Sequence, residues 1–169
     1  MDAKNGTPIS TVAWVNNGIS VWNLFCGCLG LLCSHSMLTR RADINQDEQV
    51  RHRVNSNTTN TWVDGTLNDL DLVTFSGDQV GMLACWYGNP DLNVTTNDPT
   101  DAVGIRLWYP PVENVFQEIS WRPSTNTWTL EQNWSGMNGH ASPACFSWGD
   151  ENETYVIFVD LDDQAVIYW

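Results

Sequence analysis

The sequence predicts an all-β protein built from a repeated antiparallel unit of three or four short strands. Short runs rich in β-branched and aromatic residues alternate with turn residues, and no stretch of useful length carries a helical period. Several segments also recur. Residues 56–62 and 122–128 both end in Thr-Asn-Thr-Trp, residues 82–88 echo residues 143–149, and residues 12–14 are a weaker third copy of that pattern. Self-similarity of this kind marks a repeat architecture.

Taken in order, residues 11–22 give two strands around the Asn17-Gly18 turn, the dipeptide most favoured in two-residue hairpins. From Leu24 the chain turns apolar, and about residues 24–43 read as an atypical insertion that pushes apart two hairpin arms at residues 19–22 and 49–52. The apolar part is too short to cross a bilayer, and its interruption of a hairpin suggests untranslated sequence read through. Cys26, Cys28, Cys33 and His35 lie inside it without the paired spacing of a structural zinc site, so no metal is expected. Strand patterning resumes at residues 49–62. Residues 105–109 and 115–121 then form a hairpin whose later copy is residues 155–159 and 165–169, with a turn over residues 160–164. The matched pattern makes Cys85 and Cys145 equivalent positions, each expected to be a small buried hydrophobe.

A unit of roughly fifty residues made of antiparallel strands suits a β-propeller, in which blades pack face to face around an axis. The 169 residues supply about three blades, hence a single incomplete propeller domain over residues 1–169. An open array exposes sheet edges, so the expectation is either a piece of a longer chain or copies that associate to close the ring.

Within the 105–121 hairpin, symmetry about Val112 places Arg106 opposite Glu118 on one face of the pleat. A lone cross-strand ion pair on a solvated face contributes well under about 1 kcal/mol and needs no function. Scarcity argues for more. Beyond Val54 the only Lys or Arg residues are Arg106 and Arg122, against sixteen Asp and Glu.

The formal charge of -13 excludes nucleic acid and anionic membrane as partners, because phosphate demands a basic patch. Ten tryptophans are a heavy load, most of it expected in the core, with one or two available to a ligand. An odd count of five cysteines, in a chain that opens without an apolar signal segment, predicts free thiols in a reducing compartment or export by a non-signal route. Sequons at Asn5, Asn57, Asn93, Asn133 and Asn152 read as chance in so Asn- and Thr-rich a chain.

With these residues in view, the unit resembles the fungal fucose-specific lectin family, six-bladed propellers whose sugar sites lie between adjacent blades. The resemblance rests on an A-x-x-W-type strand, on Ile105, Arg106 and Tyr109 in an I-R-x-x-Y strand, and on Glu118 and Trp121 in an E-x-x-W segment leading to Trp128. It covers most of the chain from about Thr11 and is most specific over residues 105–128. It implies a lectin that binds fucose or fucosylated glycans without catalysis or cofactor, using Arg106, Glu118, Trp121 and Trp128. Arg and Glu would hydrogen-bond the sugar's hydroxyls and ring oxygen, and aromatics of the following blade would cover its apolar face. Trp121 and Trp128 would then complete the preceding pocket, whose polar pair would be Ser20 and His52. Val156 and Tyr168 would stand where the later copy needs Arg and Glu, leaving one good site at Arg106 and Glu118.

Two other classes compete. A glycoside hydrolase on a propeller would need paired carboxylates, and Asp69 with Asp71, or Asp160 with Asp162 and Asp163, are the candidates, although turns favour Asp in any case. The Asp160–Asp163 turn lacks the spacing of a calcium loop, and His35, His52 and His140 accompany no nucleophile motif. The third class is an interaction scaffold that has lost sugar binding.

Overall fold

The computed structural model describes residues 9–16, 19–29, 48–76, 79–87, 104–148 and 153–168. Its strands form three antiparallel sheets, each a meander taken in chain order. The first contains β1 (Ile9–Asn16), β2 (Ile19–Leu29), β3 (Glu48–Ser56) and β4 (Trp62–Asp64). The second contains β5 (Leu83–Tyr87), β6 (Gly104–Val112), β7 (Val115–Arg122) and β8 (Thr127–Ser135). The third contains β9 (Ala144–Trp148), β10 (Glu153–Val159) and β11 (Ala165–Tyr168). A 3-10 turn at Thr66–Leu70 follows β4, and the described residues contain no α-helix.

The middle sheet is buried on both faces, which its sequence encodes by alternation. Ala84, Ile105, Leu107, Tyr109 and Ile119 point to the first sheet and pack with Val12, Phe25, Val50 and Leu67. Trp108 and Phe116 point the other way, into a second core with Val156 and Phe158 of the third sheet. The leading strands lie side by side, with β1 against β5 and β5 against β9. Ser10 ties the first two: its buried hydroxyl accepts from the Ala84 N–H at 2.8 Å. Ser10→Ala would leave that amide unsatisfied in the core and is expected to lower stability by about 1–2 kcal/mol, read from urea unfolding midpoints.

The repeated Thr-Asn-Thr-Trp segments adopt one backbone. Asn60 and Asn126 both take left-handed conformations, at φ 49° and 53°, which asparagine tolerates better than most residues. Each amide closes a turn on the residue four positions earlier, Ser56 or Arg122, at 2.8 Å.

Several expectations change. Residues 24–29, read as the start of an insertion, belong to β2: Leu24, Phe25 and Cys26 pair with both β1 and β3, and Phe25 is fully buried. Their apolar character is that of a strand covered by the neighbouring sheet; residues 30–43, with Cys33 and His35, lie outside the described residues. The turn of the β6–β7 hairpin is Glu113-Asn114, not Val112, because Pro110 and Pro111 sit at an irregularity between Tyr109 and Val112. Arg106 therefore faces Ser120, and Glu118 faces Trp108.

Cys85 and Cys145 are neither free thiols nor equivalent positions. They form a disulfide between β5 and β9. Cys85 shares the face of the middle sheet that carries Leu83 and Trp108, whereas Cys145 points back toward that face from the third sheet. Equivalent residues of stacked sheets point the same way along the stack and cannot meet; matched end to end, residues 82–88 and 143–149 set Cys145 against Ala84, which faces the first sheet as Cys145 faces the middle one, and the equivalence with Cys85 was off by one position.

Candidate functional site

The middle sheet's second face is only partly covered by the third sheet, and beyond that cover lies an open cleft of about 510 Å³. Its floor follows from alternation along the strands: Arg106 on β6, then Glu118, Ser120 and Arg122 on β7, all on one face. Leu130, Glu131 and Gln132 of the edge strand β8 form one side, and Tyr87 of β5 the other.

Arg106 and Glu118 meet although they are not opposite. The guanidinium reaches diagonally across the ladder and its Nη1 donates to Glu118 Oε1 at 2.8 Å. Glu118 is buried at the base of the cleft, with 3% of its side chain exposed, while Arg106 keeps 34% and presents the polar rim. The Arg106 guanidinium also lies over the Tyr87 ring, 4.9 Å from its centroid, a cation–π contact that helps hold it in place. Gly104, which faces Tyr87 in the ladder, permits this packing, since a Cβ there would come within 2.9 Å of the Tyr87 hydroxyl and 2.1 Å of the Trp121 carbonyl.

A second polar group lies further along the cleft. Ser120 Oγ donates to Glu131 Oε1 at 2.5 Å, and Arg122 Nη2 stands 3.7 Å from the same oxygen. Both Arg residues found beyond Val54 thus reach one cleft in an otherwise acidic stretch. Sequence reasoning named Arg106 and Glu118 and missed Tyr87, Ser120, Arg122 and Glu131. The even spacing of Glu118, Ser120 and Arg122 on one strand was the available signal for two of these.

Trp121 and Trp128 are not in this cleft. They project from the opposite face of the middle sheet toward the first sheet, with ring centroids 6.3 Å apart. Trp128 meets His52 edge-on at 5.5 Å and Phe25 at 5.9 Å, and its Nε1 donates to Thr66 Oγ1 at 3.1 Å. The polar pair they cover is not Ser20 and His52, because His52 faces Phe25 on β2, while the Ser20 carbonyl accepts from the Asn57 amide. His52 Nε2 instead donates to Asn23 Oδ1 at 2.7 Å. The placement repeats that of the cleft: Asn23 faces Val54 as Arg106 faces Ser120, and His52 precedes Val54 by two as Glu118 precedes Ser120. Here, however, aromatic rings fill the space. Phe25 stacks on the His52 imidazole at 4.7 Å, and Gly65 presses so near that a Cβ would fall 2.0 Å from Nδ1.

Burial pushes the His52 pKa down to about 4. The unfolded chain therefore binds a proton that the native state refuses between the ordinary histidine value and about pH 4, and stability falls as pH falls through that window. His52 is expected to cost about 2 kcal/mol at pH 5 relative to pH 8. Urea unfolding of wild type and His52→Gln at both pH values checks this, the variant showing the smaller loss.

Val156 and Tyr168 do not stand where an Arg/Glu pair would. They face each other and point inward, Val156 against the middle sheet and Tyr168 against Trp134 at 4.3 Å. The acidic candidates for catalysis serve turns. Asp160 Oδ1 accepts from the Asp162 and Gln164 amides, and Asp71 takes a left-handed conformation at the end of the 3-10 turn. Among the described residues no group of three or more His, Cys, Asp or Glu is arranged to hold a metal. None of them forms a helix long and apolar enough to cross a membrane.

No protein-family model, curated protein or solved structure matches the chain.

Proposed function

We propose that the chain is a non-catalytic lectin, binding fucose or fucosylated glycans in the cleft above Arg106 and Glu118. One observation carries the reading: a buried carboxylate, a guanidinium one-third exposed and lying over a tyrosine ring, and an open space above them, all on one sheet face. Arg106 offers a planar fork of donors to hydroxyls and ring oxygen, and charge-assisted bonds of this kind are stronger than neutral ones. Glu118 and the Tyr87 ring hold that fork in place, and the exposed Leu130 side chain suits the C–H patch and methyl of a deoxysugar. Nothing in such a site needs to react with its ligand.

The arrangement of sheets supports an incomplete β-propeller of about three blades. Leading strands β1, β5 and β9 adjoin one another, later strands follow in chain order, and each sheet packs face to face on the next. In that frame the cleft and the filled Asn23/His52 position are the same inter-blade site, one open and one closed by Trp128. Retention on immobilised fucose, eluted by free fucose, is the expected result. Passage through the column without delay, with the chain folded by circular dichroism, would refute the proposal.

A further inference from the structure

The cleft contains more than one sugar needs. Arg106, Glu118 and Tyr87 form one group, while Ser120, Arg122 and Glu131 form another, linked through a shared Glu131 oxygen. The groups adjoin, since Arg106 faces Ser120 across the ladder, but from Glu118 to Arg122, four residues along one extended strand, the polar floor runs about 13 Å, longer than a single pyranose ring. The volume of about 510 Å³ is that of a site for a drug-sized ligand. Arg122 and Glu131 each keep about a third of their side chains exposed, at 35% and 33%, and Gln132 beside them adds an amide.

We infer that Ser120, Arg122, Glu131 and Gln132 form a second subsite, and that the ligand is a neutral oligosaccharide whose next sugar lies there. The inference rests on the lectin reading of the Arg106 end and extends it. Donor and acceptor alternate along the second group, as adjacent sugar hydroxyls do, each of which both gives and takes a hydrogen bond. Neutrality follows from charge. Among the described residues that line the cleft, two guanidinium and two carboxylate groups cancel, and the chain as a whole has a formal charge of -13, which repels a sulfated or carboxylated glycan. The edge position of β8 leaves this side open for the glycan to continue.

Titration calorimetry with methyl α-fucoside, a neutral fucosylated lactose trisaccharide and its sialylated counterpart tests this on the full chain. Wild type is expected to bind the neutral trisaccharide about tenfold more tightly than the monosaccharide, with the sialylated form weaker. In Arg122→Gln and Glu131→Gln, both conservative at half-exposed positions, that ratio is expected to fall to about one. Equal wild-type affinity for monosaccharide and trisaccharide would overturn the second subsite and leave the lectin reading standing. A tighter sialylated ligand would overturn the neutral class, and a ratio unchanged in both variants would overturn the residues named. Binding of none of the three would refute the lectin reading itself and this inference with it.

Discussion

Replacing Cys85 and Cys145 together by alanine is expected to lower the unfolding free energy by about 4 kcal/mol. The two residues are 60 apart in sequence, and closing a loop of that size removes about this much chain entropy from the unfolded state. The native state adds a local reason. Outside the hydrophobic contact of Trp108 and Phe116 with Val156 and Phe158, the bond is the covalent tie between middle and third sheets, at the strand that also carries Tyr87. Urea unfolding of the oxidised chain, the reduced chain and the double variant measures it. The reduced chain and the variant should coincide, well below the oxidised chain. A difference under about 1 kcal/mol would mean that the unfolded chain is already constrained there.

Arg106→Ala is expected to abolish retention on fucose and to lower stability by about 3 kcal/mol. Glu118 stays buried in that variant with its cation gone, and stranding one member of a buried ion pair costs several kcal/mol. The figure lies at the lower end of that range because Arg106 is a third exposed and water can enter the cleft in its place. Arg106→Ala with Glu118→Gln separates the two effects. A neutral amide needs no guanidinium, so most of the stability should return while retention stays lost. Retention by the folded double variant would show that the sugar binds elsewhere. If the single variant unfolds at the wild-type midpoint, Glu118 draws its stabilisation from other groups.

Much of the architecture was legible in the sequence because period-two alternation and turn residues are local signals. The two Thr-Asn-Thr-Trp turns, with asparagine at the left-handed position, were visible as repeats and fold as repeats. Arg106 and Glu118 were legible as a same-face pair by parity alone, and they do meet. What failed depended on register or facing. Two prolines moved the hairpin turn by a residue or more, so the symmetric pairing was replaced by a diagonal one. Leu24, Phe25 and Cys26 looked foreign because Phe25 and Cys26, successive residues on opposite faces of β2, are both buried, and a strand covered on both faces loses the alternation that marks a half-exposed one.

The sequence by itself determined that this chain forms antiparallel meanders and that its only two Lys or Arg residues beyond Val54, Arg106 and Arg122, fall in one strand pair. Only the tertiary structure decided that Cys85 meets Cys145, that His52 pairs with Asn23 beneath Trp128, and that Arg122 and Glu131 share the cleft with Arg106. The reason is one of range. Alternation specifies which side of its own strand a residue occupies, but the packing of one sheet against the next specifies what waits on that side, and residues distant in sequence supply it.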